Sequence, residues 1–422
     1  MANQIRNPSA ELEGLLRDHT SYQNPEFLAV SGQHKYHFSS NPSYPDGSVE
    51  NLRYIKYEPI RGIECFATGQ IFDNCGDAIE HWKIQKRYDA RFVMHPQECV
   101  TVKHDSKVLY MLIFPKVIRD ISVWIEEHAK GQVSDVDMWE VLKKTEKAMR
   151  YLSVESHSRR SHGNLLRGIG IAADLNVYFF NFGADKKGYS TDIQVLDDIL
   201  TSIEPKLVDP TIQHCVTRWK SFLSVACSLS SCATTPPLFC PFDSNHVRVI
   251  LHYPASWDDE EKLRFLANIH KLCTDKCHRY PSNLMNDSTF DAEMAKKYSN
   301  WGNLISATTN ALSQVYQFGC RQGNYLRTDR AGNWVLWEAS VVLFAHNSVK
   351  HYSERAQAHN NKLLNNPSLT YMPELISSQV LDALYQEFSK FIEDIYEAFY
   401  KALENGYRHH MFNLSQILSG RL

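Results

Sequence analysis

Residues 334–355 read WVLWEASVVLFAHNSVKHYSER. The apolar residues Val335, Val341, Val342, Phe344, Ala345 and Val349 recur at helical spacing and predict a helix with one core-facing side. Near the end of the stretch stand His346, Asn347 and, four residues after the Asn, His351. That spacing puts Asn347 and His351 on one helix face, a turn apart. Lys350 and Arg355 flank them, and Tyr352 lies beside them. An imidazole exchanges a proton near neutral pH, and a carboxamide with nearby cations suits a phosphate ester. Between residues 321 and 362 there are six cations (Arg321, Arg327, Arg330, Lys350, Arg355, Lys362) against three acids (Asp329, Glu338, Glu354), and a local +3 attracts an anion.

The chain around this stretch has 422 residues, room for two or three domains with real cores. Its net charge of −3 argues against a generic nucleic-acid coat, so any anion site must be local. No apolar run reaches the ~18 residues of a membrane helix, and the opening MANQIRNPSAELEG lacks the apolar core of a signal peptide. No membrane association is expected, and a cytoplasmic or nuclear location is. Ten cysteines without framework spacing read as reduced thiols. His270, Cys273, Cys277 and His278 invite a zinc reading. The run EKLRFLANIHKL before them is helical, however, and buried thiols are common in such helices, so no metal is expected.

In chain order, residues 1–50 form a polar N-terminal extension with a short amphipathic helix near 10–18. Strand-like runs YIKYEPI and ECFATGQIF follow, then a helix over 77–89, then ECVTVKH and VLYMLIFP. That order suits a small twisted sheet with one packed helix, over about 51–114. From 115 to 250 the chain is mainly helical, with helices over 120–128 and 137–152, a β pair near GIGIAADLNVYFF, and the helix TDIQVLDDILTSI. SLSSCATTPPLFCP reads as a loop. From 251 to 422 it is helical almost throughout, with segments near 258–278, 300–318, 334–352 and 378–404. The fold class is α+β.

A small β-rich lobe followed by a helical lobe resembles a two-lobed protein kinase. His95-Pro96 resembles the dipeptide after the kinase regulatory helix, and VLYMLIFP the fifth strand and hinge. SHGNLLRGIGI resembles the catalytic loop, Asn181-Phe182-Gly183 the D-F-G motif, and Asp192 the buried Asp of a central helix. The chemistry has been removed. Against H-R-D-L-x-x-x-N, the base position is Asn164 and the metal-ligand position Ile169; the D-F-G Asp is Asn181. A neutral amide accepts no substrate proton and is a poor magnesium ligand, so the lobe resembles a pseudokinase. No V-A-I-K Lys is visible, Lys83 takes the partner Glu position, and AVSGQHKYHFSS is the nearest match to a glycine-rich loop. A nucleotide in the cleft has little support, and no cofactor is expected.

His252-Tyr253-Pro254-Ala255-Ser256-Trp257 then resembles the H-P-F-F-W boundary between kinase and nuclease in the ribonuclease L and inositol-requiring-enzyme family. QEFSKFIEDIYEAFYKAL resembles that family's closing helix, and the segment at 346–351 its R-N-x-x-x-H motif. The resemblance spans about 50–405. It implies an all-α kinase-extension nuclease domain over 251–422, active as a homodimer. The domain would cut RNA without metal, by 2′-hydroxyl attack to a 2′,3′-cyclic phosphate. It assigns His351 as general acid/base, Asn347 as phosphate orienter, and Trp334 as the assisting aromatic. Lys350, Arg355 and Tyr352 would contact RNA. His346 stands where the family keeps Arg, and Ser340 where it keeps a helix-capping Asp, with Glu338 nearby. These departures keep a second expectation in view: a double pseudoenzyme acting as a scaffold for a regulatory protein partner.

Overall fold

The computed structural model describes residues 29–31, 34–38, 52–59, 65–104, 107–114, 118–152, 168–180, 189–231, 250–251, 253–274, 284–308, 310–328, 331–363, 365–366 and 368–405. The protein is mixed α+β, with more helix than strand, and divides into two compact units, Met1–Val247 and Arg248–Leu422.

The first unit is built on an antiparallel sheet of six strands, β1 (Ala29–Ser31), β2 (His34–Phe38), β3 (Leu52–Pro59), β4 (Cys65–Phe72), β5 (Glu98–His104) and β6 (Lys107–Phe114). Their order is β1-β2-β3-β4-β6-β5. The period-two alternation of β6 explains its place inside. Leu112 and Phe114 join Phe72, Ala78 and Met94 in one cluster, while Met111 and Ile113 join Ala67 and Val100 in another. A run that is apolar on both faces is at home only in an interior strand. The AVSGQHKYHF segment, expected in the N-terminal extension, contributes β1 and β2; Tyr36 pairs with Tyr57 across β2 and β3. The sheet therefore begins before residue 51. The helix expected near 10–18 lies outside the described residues.

Between β4 and β5 sits helix α1 (Cys75–Gln85), whose first turn is capped by Asn74 accepting from the Asp77 amide at 2.8 Å. A second sheet, β7 (Ile118–Asp120), β8 (Ile169–Ala172) and β9 (Val177–Phe179), is antiparallel throughout. Helices α2 (Ile121–Ala129) and α3 (Asp135–Arg150) start at the caps Asp120 and Ser134. On α3 the carboxylate of Asp135 accepts from the amides of Val208 and Asp209 and lies 2.8 Å from His128 Nε2. Helices α4 (Tyr189–Ile203) and α5 (Pro210–Ser231) complete the unit, with Asp192 buried in the first turn of α4. The loop expected from 228 gives way to helix as far as Ser231.

The second unit contains α6 (Asp259–Thr274), α7 (Ser288–Tyr298), α8 (Trp301–Ser306), α9 (Ala311–Arg321), α10 (Val341–Leu363), α11 (Ser377–Glu387) and α12 (Phe391–Asn405). It is not all-α. A hairpin of β10 (Leu326–Thr328) and β11 (Trp334–Leu336) precedes α10, with Thr328 opposite Trp334. Val335 is thus a strand residue, and the helix begins only at Val341, after a single 3₁₀ turn at Glu338–Ser340. Gly323, at φ 71°, ends α9 in the left-handed region that glycine enters without cost. Two expected helices are each split: the 300–318 segment between Ser306 and Ala311, and the 378–404 segment at Lys390, which has φ 64°. Among the described residues no helix is long and apolar enough to cross a membrane.

Candidate active site

His346, Asn347, Lys350, His351, Tyr352 and Arg355 all lie on α10, and the core decides how they turn. Val341, Val342, Phe344, Ala345, Ser348, Tyr352 and Ala356 form its buried side. Phe344 packs edge-on against Tyr316, Tyr325 and Phe388 and tilted against Trp301, a cluster that anchors the helix.

Tyr352 belongs to that inner side. It is 2% exposed and its hydroxyl meets the Ala311 backbone, so its expected contact with RNA is corrected to a core role. Helical periodicity brings it under Phe344 and Ala345, two turns earlier.

Asn347 is half-buried and its Nδ2 donates to the Tyr325 hydroxyl at 3.2 Å. Tyr325 is fully buried, and burial pushes its phenol up to about 12. Gly319 lies so close that a Cβ there would overlap the Tyr325 ring.

His346 stacks on His270 of α6, ring centroids 3.9 Å apart and planes 21° from parallel. Burial, then the neighbouring charges of His270, Lys350 and His351, lower its pKa to about 4. It is therefore neutral at pH 7 and cannot act there as a cationic phosphate donor.

His351 lies on the outer face. Its Nδ1 is 2.9 Å from Glu354 Oε2, and this contact is the first cause holding the Glu354 carboxyl below its ordinary range. The i,i+3 spacing of this pair was legible in the sequence, where Glu354 entered only as one of three acids in the local charge count. Lys350 is exposed. The Arg355 guanidinium lies over the Phe318 ring, 3.7 Å from its centroid. Asn347 and His351 thus share a helix but are held by different partners, Tyr325 and Glu354.

The remaining positions are dispersed. Trp334 is 69% exposed on the hairpin. Trp337, one residue past β11, donates from Nε1 to Asp291 at 2.8 Å. Arg327 spans Asp291 at 2.7 Å and Glu338 at 3.0 Å, which removes it from the basic rim and occupies Glu338. Ser340 is fully buried and its hydroxyl donates to the carbonyls of Trp337 and Tyr325. This serine helps to close the turn between hairpin and helix, beside the backbone bonds from Ser340 to Trp337 and from Trp337 to Tyr325. No long-range signal in the sequence pointed to Asp291 or Tyr325 as partners.

Of the three positions compared with kinase motifs, Ile169 opens β8, fully buried and paired with Phe179. Asn164 and Asn181 lie outside the described residues. Cys273 is buried on α6, which pushes its thiol up strongly; Cys277 and His278 lie outside the described residues. Among the described residues no group of three or more His, Cys, Asp or Glu is placed to hold a metal ion.

The sequence matches no protein-family model and no curated protein.

Proposed function

We propose that this protein is a pseudokinase-linked, metal-independent endoribonuclease in which His351 transfers the proton. The observation that carries the reading is the outer-face His351 with Nδ1 held by Glu354, which leaves Nε2 for chemistry. The reaction is attack of a ribose 2′-hydroxyl on the adjacent phosphorus with loss of the 5′-oxygen, giving a 2′,3′-cyclic phosphate and a 5′-hydroxyl. His351 acts on one of the two protons that must move. Lys350 supplies positive charge for the phosphate. One amide hydrogen of Asn347 is engaged by Tyr325, and the other is the donor to a phosphate oxygen.

The kinase-like reading of the first unit is supported by the helix inserted after the third of five consecutive sheet strands from β2 to β6, and by the buried Asp192 at the start of α4. Asn164, Ile169 and Asn181 leave it without a base or a metal ligand, so the unit serves as a platform for a homodimer or a regulatory partner. A second reading, a double pseudoenzyme scaffold, is favoured by one observation: the neutral His346 stacked on His270 in place of a cation.

Cleavage of an end-labelled stem-loop RNA across a protein-concentration series separates the two. The nuclease reading expects a rate that rises with concentration and is lost in His351→Ala. Cleavage that survives His351→Ala removes the site assignment, and absence of cleavage at the highest concentration favours the scaffold.

A further inference from the structure

We infer that Arg355 and Phe318 form a shelf on which one unpaired nucleobase of the RNA stacks. The inference rests on the nuclease reading and names which form of RNA the site takes.

Three observations carry it. The Arg355 guanidinium lies 3.7 Å from the Phe318 ring centroid, at stacking distance, so one of its faces is covered by the ring. Phe318 is nevertheless 42% exposed, so part of its ring stays open beside the guanidinium. Finally, Arg355 forms no hydrogen bond or ion pair among the described residues. Glu354, the adjacent acid, is hydrogen-bonded to His351.

A nucleobase supplies what is missing. It has a flat π-face for the guanidinium plane or the exposed part of the ring, and acceptor atoms at its edge for the arginine N–H groups. Arg355 follows His351 by four residues, about 6 Å of helix rise, which suits the reach from a scissile phosphate to the base on an adjoining sugar. Arg321, three residues after Phe318 on α9, and Lys350 form no ion pair among the described residues and extend the positive surface around the shelf. Bases within a duplex are already stacked on their neighbours and cannot enter. The shelf therefore selects single-stranded loops or ends.

The test uses the full chain carrying His351→Ala, so that RNA is bound without being cut. The probe is a short single-stranded RNA containing one 2-aminopurine, whose fluorescence is quenched on stacking; the same strand in a duplex is the comparison. Quenching and binding are expected for the single strand alone. Phe318→Leu, which keeps apolar bulk and loses the π-face, is expected to weaken binding about 5- to 150-fold, the range for losing one stacked base. Phe318→Trp is expected to retain binding. Arg355→Lys keeps the charge and loses the plane, and is expected to abolish the quenching. Binding by Phe318→Leu within twofold of its parent, or equal binding of the duplex, overturns the shelf. Phe318-dependent stacking without any cleavage by the wild-type chain leaves the shelf standing and removes the nuclease reading. Cleavage at a rate indifferent to Phe318→Leu does the reverse.

Discussion

Nδ1 of His351 and Oε2 of Glu354 lie 2.9 Å apart on the outer face of one helix, three residues from each other. Because Glu354 is exposed, its support of the imidazole is orientational and open to screening. Glu354→Gln keeps an acceptor and removes the charge. Initial cleavage rates are expected to fall about fivefold or less, against roughly 10²-fold or more for His351→Ala. A loss in Glu354→Gln as large as that of His351→Ala would show that the carboxylate does more than orient.

The stacked His346 makes stability depend on pH. Its pKa is lowered from an ordinary 6.5 to about 4. Above 6.5 neither the folded nor the unfolded chain carries a proton there. As pH falls from 6.5 to 4 the unfolded chain gains one and the folded chain does not, so stability is lost across that window. Melting temperatures between pH 7 and 4.5 should drop more steeply for the wild type than for His346→Gln. Parallel curves would mean that His346 titrates normally.

Gly319 and Tyr325 test the packing beneath Asn347. A methyl group on residue 319 meets the Tyr325 ring, so Gly319→Ala is expected to destabilise by ~1–3 kcal/mol through overpacking. Tyr325→Phe removes only the hydroxyl that Asn347 contacts and should cost ~1 kcal/mol. Urea titrations of the two variants read both values, and a neutral Gly319→Ala would contradict the close approach.

The far end of the same helix holds a connecting segment by side-chain amides. Asn360 donates to the Met372 carbonyl at 2.7 Å and accepts from its amide at 2.9 Å, and Ser353 donates to the Leu375 carbonyl. Asn360→Ala should release residues 365–376, seen as faster hydrogen exchange at Met372 and earlier proteolytic cutting there, while α10 itself stays protected. Unchanged exchange at Met372 would show that other contacts hold the segment.

Much of the first unit was legible because its signals are local. Asn74, Asp120 and Ser134 cap helices within two or three residues of themselves, and the apolar alternation of β6 marks an interior strand. The 334–355 stretch misled at its start for a local reason too. Trp334, Val335 and Leu336 fit a helix by apolarity, but Gly332, at φ 85°, turns the chain so that they pair with Leu326–Thr328. A short apolar run does not distinguish strand from helix by periodicity. Tyr352 was expected beside the RNA, whereas its position on the helix puts it in the core.

From sequence alone, the order of the main elements was readable, along with the placement of Asn347 and His351 on one helix. Tertiary structure decided the partners: His270 against His346, Tyr325 against Asn347, Asp291 against Arg327, and Phe318 beneath Arg355. Caps and periodicity act within a turn or two of the chain. The charge state of a histidine and the availability of an arginine depend instead on groups brought up by distant segments, and only packing sets which groups those are.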